Sequence, residues 1–573
     1  MMKSIVCGID LGTTNSVIAF LKDGRPEAIP IEDGVAILPS VVSFEAENGS
    51  YVVGRQAKNR RAAFPDATIT SIKRLMGKES VVTVGRQSLS PELISSYILK
   101  HLAERASERL GQPINKVVIT VPAYFDDAQR RATIRAGELA GLDVVRIVNE
   151  PTAAALVYDR VPSEADGGSP YVLVYDLGGG TFDVSVLEIK GEIKEVLASS
   201  GDTSLGGDDF DELLKDYLLG ELREQIGGKA LTEDPGLRVR LLDIAERTKI
   251  ALSDRPYVKI NEVAVSMHEG RPLNLDLEVS RVQFELLAAD LIDRTMNKVE
   301  EVLREAHLEP GEIGKLILVG GATRMPAVFE ALSVLFEQPV EHSVDPDLCV
   351  ALGAAIQGGL ITGDSVGQIL LDVTAHSLGL KTLDSVDHVT GEPDYFSTII
   401  RRNTRIPVSR AEAFRTAVDR QEGVKVEVFQ GESLSCSENT LVGEFFYPLK
   451  PAPAYSPVVV EYAYDREGLV RICIDQKGFD NRKEVTLDIR NRKIDEASGG
   501  QPDETPVNYL AEKAGRLARD ERLSESMRHE IGRIRVSYEE AVRSGENESR
   551  VDDLEDQLLE LIERAEEELE SGE

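Results

Sequence analysis

The sequence predicts an α/β unit over residues 1–365, followed by an all-β unit and a short α-helical tail. Three observations carry this expectation. Apolar strand-like runs alternate with helical stretches over about the first 360 residues, the pattern of an α/β fold. One strand–turn motif of that region occurs twice. After Gly363 the texture changes to short alternating or β-branched runs separated by turn residues.

Ser4–Ile9, Val117–Val121, Tyr171–Tyr175 and Leu316–Val319 are short apolar or β-branched runs that end at turn residues, and each reads as a strand. Ala128–Ala140 reads as a helix, with Asp126 and Asp127 as capping candidates and Gly141 as its stop. The repeat pairs Ile9-Asp10-Leu11-Gly12-Thr13-Thr14 with Tyr175-Asp176-Leu177-Gly178-Gly179-Gly180-Thr181. Two like half-domains facing each other would bring both turns to one cleft. Beyond Gly363, Ile369-Leu370-Leu371 leads to Asp372 and into a region whose runs Lys425–Phe429, Val458–Tyr464, Val470–Ile474 and Glu484–Ile489 suggest a β-sandwich. Ser498–Pro506 has linker composition. After it, Met527, Ile531, Ile534, Tyr538 and Ala541 share one helix face, as do Val551, Leu554, Leu558, Leu561, Ala565 and Leu569. The boundaries expected are an α/β domain over 1–365, a linker over 366–374, a sandwich over 375–497 and a helical region over 498–573.

Composition limits what these units can do. A net charge of −34 over 573 residues argues against a surface built for nucleic acid or anionic lipid. Local phosphate sites remain open, because backbone amides and one lysine can supply them. No apolar run approaches the roughly 18 residues that span a bilayer. Asp10 follows only a few apolar residues, so no signal-peptide core is expected. Cys7, Cys349, Cys436 and Cys473 are far apart and form no CxxC pair, which disfavours a disulfide framework or structural zinc. The expectation is an acidic, cytoplasmic protein of a reducing compartment.

The repeated turns carry the chemistry. Glycines and threonines after a strand can aim backbone N–H groups into one concavity and bind phosphate oxygens by oriented dipoles. Gly12, Thr13 and Thr14 fit that role, as do Gly178, Gly179, Gly180 and Thr181. Asp10 and Asp176, at the strand ends beside them, suit a hydrated Mg²⁺ that bridges phosphates. Either turn alone reads as a structural loop; the pair, each with its aspartate, reads as a phosphate site. GxxxxGK[ST] is missing, so this is not a P-loop. Phe182, Val184 and Val186 bury one strand face and leave Asp183 on the other, where it could orient an attacking water or serve as a plain turn residue. Gly320-Gly321-Ala322-Thr323-Arg324 allows close approach of a flat ligand, with Arg324 free to stack on adenine. Glu246, Lys249 and Ser253 share a helix face and could grip ribose and base, though alone such a trio reads as a surface charge pair.

DLGTTNS, DLGGGTFDVS and VGGATRMP stand in the order of the actin-like ATPase superfamily. VPAYFDDAQRRAT at 121–133, NEPTAAAL at 149–156 and LGGDDFD at 205–211 are more specific. With NTRIPVSR, VFQGE and KPAPAYSPVVVEY in the β-region, they make the chain resemble the DnaK-type, seventy-kilodalton heat-shock chaperone family over nearly its whole length. The short helical tail and the YPLKP segment are most similar to its HscC-like branch.

The resemblance implies an actin-like ATPase domain with ATP or ADP, Mg²⁺ and K⁺, and a β-sandwich that binds unfolded, apolar peptide segments. Lys73 matches the family's catalytic lysine; Asp10, Asp176 and Asp183 match the acids around Mg²⁺ and potassium; Thr181 matches the threonine facing the γ-phosphate. Asn15, Gly206 and Gly207 complete the phosphate loops, and Glu246, Lys249, Ser253, Gly320, Gly321 and Arg324 match adenosine contacts. Glu150 matches the residue that senses the nucleotide, and Pro122 and Arg130 the proline switch and its arginine relay. Arg146, Asn149 and Asp372 match positions that engage a J-domain co-chaperone, while Leu370 and Leu371 are the apolar linker. In the sandwich, Leu380, Leu383, Phe414, Ala417, Val424, Val426 and Val459 match the walls and arch of the peptide groove. A nucleotide-exchange factor is a further implied partner; nucleic acid and membrane are not.

The chain also departs from that family. DSVDHVTGEPDYF after Leu383 is longer than the usual loop beside the groove, and it is acidic. Ala454 stands where relatives have an arginine that latches the helical lid, and Ala375 replaces a proline after the linker. The segment after Gly77 and the C-terminal tail are short. A small-molecule kinase or a filament-forming ATPase of the same superfamily is the alternative, and neither accounts for the linker, the sandwich or the arch residues.

Overall fold

The computed structural model describes residues 5–496 apart from 46–49, 86, 159–168, 192, 228–234, 338–344, 364–368, 387–392, 465–469 and 489–492. It also describes 514–565 apart from 516, 520–521, 545–549, 551–553, 555–556, 559–560 and 563. The chain divides into two compact units, Met1–Ala375 and His376–Glu573.

In the first unit the repeated motif is a repeated topology. Val6–Leu11 turns back into Asn15–Lys22 and then Arg25–Ala28, all antiparallel, while Lys116–Val121 lies parallel on its other side, followed by Asp143–Asn149. Tyr171–Leu177 does the same with Phe182–Lys190, Ile193–Asp202 and, in parallel, Ile313–Val319. In both halves the hairpin turn carries the glycine–threonine sequence and the preceding strand ends beside its aspartate. The continuous β-branched character of these strands follows from burial on both faces: Val172, Leu173, Val174 and Tyr175 are all fully buried.

Helix Cys349–Ile361 joins the halves. It presses on strand Val6–Leu11 and on helix Glu150–Leu156 so closely that side chains are excluded. A Cβ on Gly8 would lie 2.2 Å from the Ala355 nitrogen, and one on Gly353 would lie 1.7 Å from the Ala153 carbonyl oxygen. One apolar cluster, including Val6, Val118, Ala154, Val174, Ile317 and Ala354, therefore runs through both halves. The helix read at 128–140 spans Asp127–Leu139; Asp126 caps it and makes a reciprocal capping box with Gln129. Strand Ile369–Val373 belongs to this unit and pairs parallel with Ile193–Asp202. Leu371 is buried there, while the side chains of Ile369 and Leu370 lie outside the described residues.

The second unit holds two antiparallel sheets. One runs Pro393–Ile400, Leu378–Val386, Gly423–Gln430, Thr440–Pro448; the other runs Val408–Arg415, Pro457–Tyr464, Val470–Gln476, Asn481–Asp488, Lys493–Glu496. Their inner faces meet in one apolar cluster that includes Leu378, Val428, Tyr447, Val460, Tyr462 and Ile474. The Tyr462 hydroxyl donates to the Gly379 carbonyl at 3.2 Å, tying one sheet to the other. The segment Ser498–Pro506 and part of the acidic loop lie outside the described residues. Helix Glu525–Ser544 buries the stripe Met527, Ile531, Ile534, Tyr538 and Ala541. Leu554, Leu558, Leu561 and Ala565 are buried as well, whereas Val551 and Leu569 are not described.

Candidate functional site

Because the two hairpins repeat one topology, their turns converge. Asp10, Gly12, Thr13, Thr14, Asn15, Lys73, Glu150, Asp176, Gly178, Gly179, Thr181 and Gly207 line one open cleft of about 350 Å³, and Glu246, Lys249, Gly320, Gly321 and Arg324 line its far end. Glycine is required where the turns meet. A Cβ on Gly179 would fall 1.7 Å from the Thr14 hydroxyl, and one on Gly206 would fall 2.5 Å from the Gly180 nitrogen.

Lys73 sits at the floor, on the short 3-10 turn Ile72–Leu75, and its ammonium is 2.5 Å from Glu150 Oε1. Both side chains are buried, at 4% and 8% exposure. Burial pushes the lysine pKa down, but Glu150 and Asp10 outweigh it and hold the ammonium charged. The carboxylates show the opposite balance. Burial, and then the charge of Glu150, push Asp10 and Asp176 far above the usual aspartate range, and the same causes take Asp183 to about 7. Asp183 accepts from the Tyr124 amide at 3.0 Å and Asp10 from the Thr120 hydroxyl at 3.3 Å. Three buried carboxylates, Glu150, Asp176 and Asp183, and the half-buried Asp10 around one lysine are short of positive charge, and oxygen-only donors suit a hard divalent cation. Among the described residues no three His, Cys, Asp or Glu side chains converge closely enough to hold a metal directly.

At the far end Lys249 donates to the Gly207 carbonyl at 2.8 Å and pairs with Asp211 at 2.9 Å. Glu246 pairs at 2.8 Å with Lys58, which comes from the other half of the unit. Arg324 is held by Asp345 and Asp347 at 3.0 and 2.9 Å. Ser253 does not line the cleft; it borders a small neighbouring pocket, and its hydroxyl donates to the Lys249 carbonyl at 3.4 Å. Gly180 and Gly206 lie behind the cleft lining rather than in it.

One layer out, a polar chain leaves Glu150. Its neighbour Asn149 accepts from Arg130 at 2.5 Å and donates to Asp372 at 3.0 Å. Arg130 also donates to the Ala123 and Phe125 carbonyls, on the turn that Pro122 opens. Arg146 lies on strand Asp143–Asn149, in register with Val118.

A model of the Hsp70 protein family matches residues 6–84 and 79–572, nearly the whole chain. The chain belongs to the Hsp70 family. It is thereby a chaperone with ATPase activity; Hsp70 proteins bind ATP or ADP with Mg²⁺ and bind substrate polypeptide. No described helix of this Hsp70 chain is long and apolar enough to cross a membrane.

In the second unit the residues matched to the Hsp70 groove separate into two groups. Leu380 and Val426 are buried in the common core, with Phe414 and Val424 packed against it. Leu383, at 68%, and Ala417 are exposed. Val459 faces away from its buried neighbours Val458 and Val460. Sequence reasoning missed Lys58, Asp208, Asp211, Thr120 and Tyr124. Lys58 lies in an ordinary basic helix, Arg55–Arg60, and nothing near it in the sequence marks its partner 188 residues away. The acids of LGGDDFD were quotable as a motif, but their roles depend on which half of the cleft they face.

Proposed function

We propose that this chain is an ATP-driven peptide clamp of the HscC-like branch, in which the 366–374 linker reports nucleotide state to a β-sandwich at 375–497. Lys73 stabilises charge on the transferring phosphoryl group, and Asp10 and Asp176 hold hydrated Mg²⁺ against the two phosphate turns. Asp183 orients water and a K⁺ ion, and Thr181 faces the γ-phosphate. Adenosine rests between Glu246, Lys249 and the 320–324 turn, with Ser253 one helix turn beyond Lys249.

The observation that carries the coupling is the continuous polar path Lys73–Glu150, Asn149–Asp372. It runs from the phosphate floor to a strand whose Leu371 is buried. Glu150 and Asn149 are adjacent at the start of helix Glu150–Leu156, so a shift that Lys73 imposes on Glu150 is carried to Asp372. Pro122 and Arg130 brace that path, and Arg146 with Asn149 offers a J-domain its contact. The apolar positions Leu380, Leu383, Phe414, Ala417, Val424, Val426 and Val459 form the groove. An exchange factor speeds nucleotide release, and the cell compartment is the cytoplasm.

The test measures ATP hydrolysis and ATP-triggered release of an apolar peptide in the wild type and in Leu370→Asp/Leu371→Asp. Charge at Leu371 destroys its burial, so ATP should no longer release peptide although ATP still binds. Unchanged release in the variant rejects this path. Hydrolysis that rises with an added metabolite alcohol, or sedimentation on ATP addition, would favour a kinase or a filament instead.

A further inference from the structure

Lys73 can act on a phosphoryl group only if the turn that carries it is held against the phosphate turns. The 3-10 turn Ile72–Leu75 has four residues, too few to fix itself. Its far end is anchored within the first half. The Met76 side chain is fully buried, and Gly77 lies so close to helix Asp127–Leu139 that an added Cβ would meet the Gln129 nitrogen at 2.7 Å. Its near end is held differently. Ser71, which opens the turn, stands at φ 54° and ψ 29°. That left-handed conformation costs a non-glycine residue on the order of 1–3 kcal/mol. The Ser71 hydroxyl donates to Asp208 Oδ2 at 2.5 Å, and Asp208 belongs to the opposite half, in the first turn of helix Gly207–Gln225. A hydroxyl given to a carboxylate makes a charge-assisted bond, strong enough to offset such backbone strain.

Asp208 is the node where three turns meet. Its other oxygen, Oδ1, accepts from the Thr14 hydroxyl of the first phosphate turn at 3.4 Å. Its backbone N–H donates to the Gly179 carbonyl of the second at 2.8 Å, beside a like bond from Gly207 to Gly178 at 2.9 Å. One residue of the second half thus sets the spacing between both phosphate turns and the turn that bears Lys73. The neighbouring pair reinforces it: Arg74 donates to Asp209, so the lysine is tied to the same helix on either side. A carboxylate suits the position, because each of its two oxygens takes one hydroxyl proton.

We propose that Ser71 and Asp208 are positioning residues for ATP hydrolysis: the bond between them, made across the two halves, seats Lys73 against the phosphate turns. The inference rests on the ATPase reading of the cleft and on Lys73 as the group that stabilises the transferring phosphoryl. Both residues act through the lysine. Without the bond, the left-handed Ser71 relaxes and the ammonium leaves the place where charge develops, while the glycine turns still hold the nucleotide. Rate is lost and affinity is kept.

The experiment measures single-turnover hydrolysis at saturating Mg²⁺ and ATP in the full chain, with affinity read separately by displacement of a fluorescent nucleotide. A wild type that neither binds nor hydrolyses ATP would reject the ATPase reading, and this inference with it, before any variant is judged. Ser71→Ala should slow hydrolysis about tenfold and change ATP affinity less than threefold; Asp208→Ala should slow it at least as much. Ser71→Gly lacks the hydroxyl but adopts the left-handed conformation freely, and it should be as slow as Ser71→Ala. A wild-type rate in Ser71→Gly would mean that the backbone and not the bond matters, which overturns the proposal. In a Lys73→Ala background, Ser71→Ala should alter the residual rate less than twofold, because the serine works through the lysine. A further tenfold loss there would show that Ser71 serves the fold of the cleft alone, and the assignment would fall. It would fall equally if the Ser71→Ala/Asp208→Ala chain lost the product of the two single losses, since one bond cannot be lost twice. Weaker ATP binding with an unchanged rate at saturation would make the pair a binding element and contradict the positioning role.

Discussion

The candidate nucleotide cleft and the candidate peptide groove are built from opposite materials. The cleft gathers charged groups that burial penalises: Lys73, Glu150, Asp176 and Asp183 are each less than a tenth exposed. Around them the two turns approach so closely that a Cβ at 179 would meet the Thr14 side chain and one at 206 the Gly179–Gly180 backbone. The groove positions are apolar residues of the β-region, some in the common core and some exposed. Polar groups under strain tolerate little change in position, so the cleft should answer single-atom changes with large effects. The groove region should answer with graded ones.

The largest effect tests the cleft's central charge. Replacing Lys73 by Ala removes a preorganised donor from a buried site and leaves Glu150 without its cation. Single-turnover ATP hydrolysis should fall by roughly 10²–10³. Nucleotide binding should persist through the turns and the 320–324 loop. A rate within threefold of wild type would show that the lysine only balances charge.

A second comparison lies within one turn. A Cβ on Gly178 has its nearest neighbour at 3.5 Å, whereas one on Gly179 meets Thr14 at 1.7 Å. Gly179→Ala must therefore push the turns apart, and hydrolysis should fall at least about tenfold, roughly 1.4 kcal/mol of barrier. Gly178→Ala should stay within about threefold. Equal losses would mean that the turns are free to move and that glycine serves only the backbone.

Much of this was legible in the sequence, and unevenly. The two DLG turns could be paired because an aspartate at a strand end followed by Gly and Thr is anomalous in an otherwise apolar run. The topological repeat then places them together. Lys58 and Glu246 could not be paired, since each is an ordinary charged residue of a helix and only the packing of the two halves joins them. In the β-region the strands were legible from alternation, but Leu380 and Leu383 look alike in sequence although one is core and the other exposed. An apolar residue in a strand is core by default, so the groove rested on the family match alone.

The buried carboxylates also set a pH dependence. Burial and the charge of Glu150 raise the folded-state pKa of Asp183 to about 7 and move Asp10 and Asp176 upward too, all above the unfolded value near 3.9. The folded state then binds more protons than the unfolded state between those limits, so stability falls as pH rises from 4 toward 7 and beyond. Without nucleotide, Tm should drop by about 2–4 °C per kcal/mol of proton linkage as pH goes from 5.5 to 8. Saturating Mg²⁺ and ADP should flatten that slope, because the cation replaces the protons. A nucleotide-free Tm that is level or rising over this range would contradict the arrangement of acids described for the cleft.

The smallest effect is expected in the second unit, at the helical tail. A lid retains peptide when its own apolar face is spent on the groove or when a latch fixes it there. Here the stripe Met527, Ile531, Ile534 and Tyr538 is buried, and Gly515 lies against Arg535 of the same helix, where an added Cβ would come within 3.3 Å of the guanidinium. The tail thus packs on itself in at least one place. At the latch position Ala454 offers no charge; its backbone N–H donates to Asp419 at 2.7 Å, so that carboxylate is engaged locally. Weak retention follows: removing 498–573 should speed peptide release from the ADP state by less than tenfold, measured by stopped-flow with a labelled apolar peptide. Placing a guanidinium at this position, by Ala454→Arg, gives the acidic tail a cation to pair with and should slow release from the full chain by about threefold, the size of a partly exposed ion pair near 0.6 kcal/mol. It should not slow release from the truncated chain, because a latch acts only through the helices it holds. Tenfold faster release on truncation alone would make the tail a working lid, and the contrast with the cleft would then be one of chemistry and not of tolerance to change.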